Sequence, residues 1–290
     1  MADIIKAISA NDIRHGTSVT GVDGTGNVQA YFETGKDATS PALSDIESKY
    51  VSRFDDPTYY FHHGLVDGLE FYYRLDEQSG TRLDSVNGKH LTDNNTVGYV
   101  AGVSSKVGDA ANFTRGNLEY LSLDNASLDL LSPGDTNWSM ACWIKLDSSN
   151  FSDNQHIFGV WRTSPSSHRE YLLYWKAGHT KLWFYTSNNG SSTSYIPSAA
   201  SLSANTWYHV MICHDATNDQ RLMYIDGALS NSDSYSTGVY QGSGDFNIGR
   251  TNNSTDYVDG AVDEFGMWSR VLTAAEAVSL YNNGNGRKVR

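Results

Sequence analysis

Residues 206–230 read TWYHVMICHDATNDQRLMYIDGALS, and this stretch decides the fold. Two runs rich in aromatic and aliphatic side chains, TWYHVMICHD and QRLMYID, are each closed by polar residues. Asp226-Gly227 then separates Tyr224-Ile225 from Ala228-Leu229. An Asp-Gly pair accepts the positive φ of a type I′ turn, so the segment predicts a β-hairpin. Working outward, the same texture recurs in LEFYYRL, LEYLSL, WSMACWIKL, HIFGVW, EYLLYW, KLWFY, DFNIGR and YVDGAVDEFGMW. Strands of this length, divided by Gly, Asn, Asp and Ser clusters and with almost no helix between them, predict an all-β sandwich or barrel. A helical signal returns at Thr273-Ala274-Ala275-Glu276, a capping box followed by Val278, Leu280 and Tyr281 and stopped by Asn282-Asn283-Gly284.

The chain has 290 residues, a formal charge of -12 and only 19% charged residues. An acidic balance disfavours nucleic acid, whose phosphates need a basic face. The basic cluster Arg287, Lys288 and Arg290 reads as a solvated terminus. No apolar run approaches a membrane span, and charges at Asp3, Lys6, Asp12 and Arg14 interrupt any signal-peptide core. Cys142 and Cys213 sit in apolar strand-like runs and read as buried thiols, with a bridge between them left open. Residues 1–70 carry a net charge of -6, and so do the 220 residues that follow. This shift, with a change in pattern, divides the chain into an N-terminal segment, 1–66, and a second domain, 67–290. Gly16, Gly21, Gly24 and Gly26 predict an arm or small hairpins, and Ser40-Pro41 predicts a helix over 41–54.

The order YYRLDEQSGTRLDSVNG, NLEYLSL, WSMACWIKLD, TWYHVMICHDATNDQRLMYIDGALS, FNIGR and YVDGAVDEFGMWSRVLTAAEAVSLY resembles the laminin-G-like, concanavalin A-like jelly rolls over residues 70–283. The resemblance implies an antiparallel jelly-roll sandwich closed by a short C-terminal helix. Trp143, Trp207 and Trp268 are then expected to fill the space between its sheets. It also implies a structural Ca²⁺ site with Asp84 and Asp263 as side-chain ligands. The alternative is an Asx-turn at Asp84 and a hydrogen-bonded Asp263.

Catalytic patterns are weak. Some folds of this kind are glycoside hydrolases, which need two facing carboxylates. Asp263 and Glu264 are adjacent and diverge on a regular strand, as do His209 and His214, five apart. No Gly-x-Ser-x-Gly elbow is present. No catalytic residue is therefore assigned. A binding surface is better supported. If Leu173, Leu182 and Phe184 face the core, Tyr174, Trp183 and Tyr185 share the opposite face, open to a glycan, a partner protein or the N-terminal segment.

The expected function is a non-catalytic binding or adhesion module. Its expected setting is a phage virion surface, as a capsid decoration, fibre or tail component, and otherwise the cell exterior by a route without a cleaved signal. Residues 1–66 are expected to contact other virion proteins or further copies of the chain, giving a homo-oligomer. A glycoside hydrolase-like enzyme and a cellular adhesion protein are the alternatives.

Overall fold

The computed structural model describes residues 21–22, 28–29, 65–124, 131–147, 153–163, 167–251 and 255–289. The chain divides into two units, residues 1–64 and 65–290. In the first, β1 (Gly21–Val22) pairs antiparallel with β2 (Val28–Gln29). The helix expected over 41–54 lies outside the described residues.

The second unit is a sandwich of two antiparallel sheets, built from β3 (Leu69–Tyr73), β4 (Thr92–Asn94), β5 (Gly98–Val100), β6 (Ala110–Phe113), β7 (Tyr120–Leu123), β8 (Trp138–Leu146), β9 (Gln155–Arg162), β10 (His168–Trp175), β11 (Leu182–Gly190), β12 (Thr193–Pro197), β13 (Tyr208–Asp215), β14 (Gln220–Ile225), β15 (Ala228–Ser234), β16 (Phe246–Ile248) and β17 (Gly260–Trp268). One sheet runs β12-β11-β10-β9-β16-β7-β4. The other runs β15-β14-β13-β8-β17-β6-β5, with β3 also paired to β17. The hairpin expected at Asp226-Gly227 forms. Ile225 pairs with Ala228 across Asp226 and Gly227, whose φ values are 50° and 77°.

Alternation along the strands builds the core between the sheets. On β8, Trp138, Met140, Cys142, Ile144 and Leu146 face inward, opposite Leu173, Trp175, Leu182 and Phe184 of the other sheet. Ser139, Ala141 and Trp143 between them are also buried, because a second apolar layer covers the outer face of the eight-stranded sheet. That layer includes Leu65, Tyr72, Ala141, Met211, Cys213, Trp268, and Ala277 and Leu280 of α1 (Ala274–Tyr281). The helix begins at the expected capping box, with Thr273 Oγ1 accepting from the Glu276 amide at 3.2 Å.

This layer corrects the placement of three tryptophans. Trp143 is buried on the outer face, its ring stacked 5.7 Å from Tyr281 of α1. Trp268 lies on that face too, its Nε1 donating to the Leu65 carbonyl at 2.6 Å. Trp207 is half-buried and donates to the Ser104 carbonyl at 3.0 Å. Trp138 and Trp175 fill the inter-sheet space instead. The same two-sided burial separates the cysteines. Both are free, Cys142 facing the inter-sheet core and Cys213 the outer layer. We expect a reductant to leave the melting temperature unchanged, which differential scanning fluorimetry would check.

The C-terminal tail is docked rather than solvated. Arg287 donates to Ser279 Oγ at 3.0 Å, Lys288 Nζ pairs with Asp76 at 3.0 Å, and the Val289 amide donates to the Tyr72 hydroxyl at 2.8 Å. Val289 is buried in the outer layer, and that apolar anchor outweighs the charge of its neighbours. Gly286, at φ 70°, makes the approach possible, because a Cβ there would lie 2.6 Å from Val107 Cγ2.

Candidate functional site

Three groups of residues carry the chemistry of the sandwich. The first is the acidic pair on β17. Val262 and Phe265 both face the core although they are three apart, so an extra residue is accommodated in a β-bulge between Asp263 and Gly266. Glu264 adopts a left-handed φ of 53° there. Asp263 and Glu264 therefore both fall outside the core, and the divergence expected of a regular strand does not hold. Asp263 Oδ2 accepts from the Lys106 and Val107 amides at 3.1 and 3.0 Å, while its Oδ1 and both Glu264 oxygens have no hydrogen-bond partner. Burial pushes the Asp263 carboxyl up to about 7 and that of Glu264 up to about 9, with the Lys288 charge opposing the latter.

Asp84 stands in the turn after β3. Its Oδ1 accepts from the amides of Tyr72 and Val86 at 3.1 and 3.0 Å, and its Oδ2 from those of Asn87 and Lys89 at 2.9 and 3.1 Å. Four N–H donors converge on one carboxylate, an arrangement that repels a cation approaching the same oxygens. Asp263 likewise spends one oxygen on two amides. These residues do not fit a Ca²⁺ ligand set, which needs free carboxylate and carbonyl oxygens. Among the described residues, no group of three or more His, Cys, Asp or Glu side chains is arranged to hold a metal ion.

The second group is the outer face of the seven-stranded sheet. Leu173, Leu182 and Phe184 face the core, and Tyr174, Trp183 and Tyr185 do share the opposite face. Tyr174 is its buried floor, and Trp183 and Tyr185 are half-buried. Tyr195 of β12, which sequence reasoning missed, completes the cluster. Its ring is stacked 4.1 Å from Trp183 and 4.9 Å from Tyr185, whose own centroids are 6.0 Å apart. Separations this short place Tyr195 over the other two rings, and it remains 45% exposed. Trp161 meets Tyr185 edge-on at 5.8 Å, and the Arg169 guanidinium lies 5.7 Å over Trp161. At the other end Lys176 Nζ lies 6.0 Å over Trp183, with His179 5.3 Å from that ring.

The third group adjoins Tyr174. His156 packs edge-on against that ring at 5.4 Å, with Nδ1 2.7 Å from Thr251 Oγ1 and Nε2 3.3 Å from Asp256. The order Thr, His, Asp suggests a nucleophile and its base. Thr251, however, is 1% exposed, out of reach of a substrate. Burial first, and Arg115 second, hold the His156 pKa down at about 3. A polar depression of about 390 Å³ opens alongside, lined by Arg115, Asp153, Asn154, Ala177, Thr255 and Asp256. His209 and His214 diverge as expected, His209 against Trp143 on the outer face and His214 against Trp138 and Asp135.

Known structures share this architecture. The binding domain of Paraclostridial Mosquitocidal Protein 1 is 16% identical, with a TM-score of 0.60 over 76% of this chain and 53% of that one. The binding domain of botulinum neurotoxin DC, in complex with rat synaptotagmin II, is 13% identical, with a TM-score of 0.52 over 74% and 51%. The ligand-binding domain of botulinum neurotoxin serotype D, in complex with N-acetylneuraminic acid, is 15% identical, with a TM-score of 0.53 over 77% and 52%. This chain thus spans about half the length of each. At such identities the likeness is one of fold. No curated protein sequence matches significantly. Residues 115–278, more than half of the chain, match the laminin-G-like model of the concanavalin A-like lectin/glucanases superfamily. With its two antiparallel sheets packed as a sandwich, the chain belongs to that superfamily.

Proposed function

We propose that the chain is a non-catalytic binding module whose ligand surface is the aromatic face of the seven-stranded sheet, and that the ligand is a glycan. The observation that carries this reading is the exposed Tyr195 ring lying over half-buried Trp183 and Tyr185. Such rings offer an apolar surface on which a sugar stacks, and the nearby imidazole and ammonium groups supply polar contacts. The placement of the acids supports a non-catalytic role. Asp263 and Glu264 are buried on the opposite sheet, where no sugar on the aromatic face reaches them. The neighbouring folds are binding domains, one in complex with a protein and one with a sugar acid, which supports recognition rather than turnover.

Isothermal titration against a glycan panel tests the reading. Tyr195→Ala and Trp183→Ala are each expected to weaken binding at least tenfold, consistent with losing a stacked aromatic. Tyr195→Ala is expected to cost less than about 1 kcal/mol of stability, because the ring is exposed. Unchanged binding in both variants would reject this face, and binding to a protein but to no glycan would reject the ligand class. We further propose a virion surface as the setting, with residues 1–66 as the attachment or oligomerisation segment. Mass spectrometry of purified particles would find the chain there. Its recovery only from host membranes would favour a cellular adhesion protein.

A further inference from the structure

We infer that the aromatic face selects a linear acidic oligosaccharide, one bearing carboxylates at spaced positions. The inference rests on the glycan reading and adds a charge requirement to it. The chain as a whole is acidic, with 33 Asp and Glu against 21 Lys and Arg. Cations left without acidic partners in such a chain are therefore informative. Two flank the aromatic cluster. Arg169 lies over Trp161 and is oriented by donating to the Ser191 carbonyl at 2.7 Å. Lys176 lies over Trp183, beside His179. Among the described residues neither forms an ion pair with a carboxylate. Asp256 feels the Lys176 charge, but less than that of Arg115, and lies 3.3 Å from His156 Nε2.

The two cations stand seven residues apart along β10 and its end, a span of roughly 20 Å for an extended strand. The aromatic rings occupy the interval between them. One terminal sugar cannot reach both cations, whereas a chain of several rings can. A planar guanidinium at one end suits a carboxylate, and the ammonium at the other acts as a point charge. The attraction is exposed to solvent, so it falls with ionic strength.

The test uses the full chain with two acidic probes, tetragalacturonate and a sialic acid tetramer, each beside its methyl ester. Esterification removes the charge and leaves the rings available for stacking. At low salt, at least one free acid is expected to bind at least tenfold tighter than its ester, with the gap closing at 0.5 M NaCl. Lys176→Gln and Arg169→Gln are each expected to weaken the free acid about fivefold and the ester less than twofold. Equal affinity for acid and ester, lost in Trp183→Ala, would overturn the charge requirement and leave the glycan reading standing. Binding of neutral glycans alone would do the same. No binding to any glycan, in a protein with an unaltered melting transition, would overturn both.

Discussion

Asp84→Ala is expected to lower the unfolding free energy by about 4 kcal/mol, the largest loss of any single carboxylate in the sandwich. The substitution leaves four backbone N–H groups, those of Tyr72, Val86, Asn87 and Lys89, without their acceptor. Each buried donor left unsatisfied costs about 1–3 kcal/mol, and water can recover part of that loss at the partly exposed amides. Urea denaturation measures the difference directly. Run with millimolar calcium and again with a chelator, it also separates the two roles the sequence allows for this residue. An amide-bound Asp84 makes both wild-type curves coincide. If calcium stabilised the wild type and the variant lost that response, Asp84 would be a metal ligand and the amide account would fail.

The second large effect concerns Glu264 and pH. Its carboxyl is pushed from an ordinary 4.5 up to about 9 by burial, so the folded protein holds a proton that the unfolded chain releases. The stability this contributes is complete below pH 4.5 and is lost as pH rises towards 9. Asp263, raised by burial to about 7, adds a smaller loss over the lower part of that window. Glu264→Gln keeps the shape and removes the titration. The variant is expected to match the wild type near pH 5 and to exceed it by about 3 kcal/mol near pH 9, a share of the roughly 1.4 kcal/mol per pKa unit that linkage permits. Parallel curves for the two proteins across that range would show that the carboxyl is solvated and the bulge open.

Much of this was legible in the chain because the signals were local. Asp226-Gly227 specified a hairpin through its own backbone preference, and Thr273 and Glu276 marked a helix start by reciprocal hydrogen bonds. The sharing of one face by Tyr174, Trp183 and Tyr185 followed from a period of two and one choice of core residues. What escaped was non-local. Tyr195 lies in a Ser- and Thr-rich strand that ends at Pro197, too polar to suggest a sheet edge, so its stacking on Trp183 was invisible. Trp143 was expected between the sheets because nothing local shows that the outer face of β8 is covered too; the cover comes from a helix about 130 residues on. The bulge at Glu264 escaped for a related reason. Glutamate carries no preference for a left-handed φ, so the bulge shows only in the register shift against β8, at the point where the other edge of β17 passes from β6 to β3.

That change of partners has a consequence for how the chain acquires its shape. β17 lies inside the eight-stranded sheet, bonded to β8 along one edge and along the other to β6 and then β3. It is also the last strand in the sequence. The interior of that sheet stays open until residue 268 has left the ribosome, and its closure joins Phe265 to Tyr73, 192 positions apart. Pairings of such sequence separation are slow to find. During synthesis, β3, β6 and β8 wait with unpaired edges, so a stalled chain is an aggregation hazard and chaperone demand is concentrated at the final step.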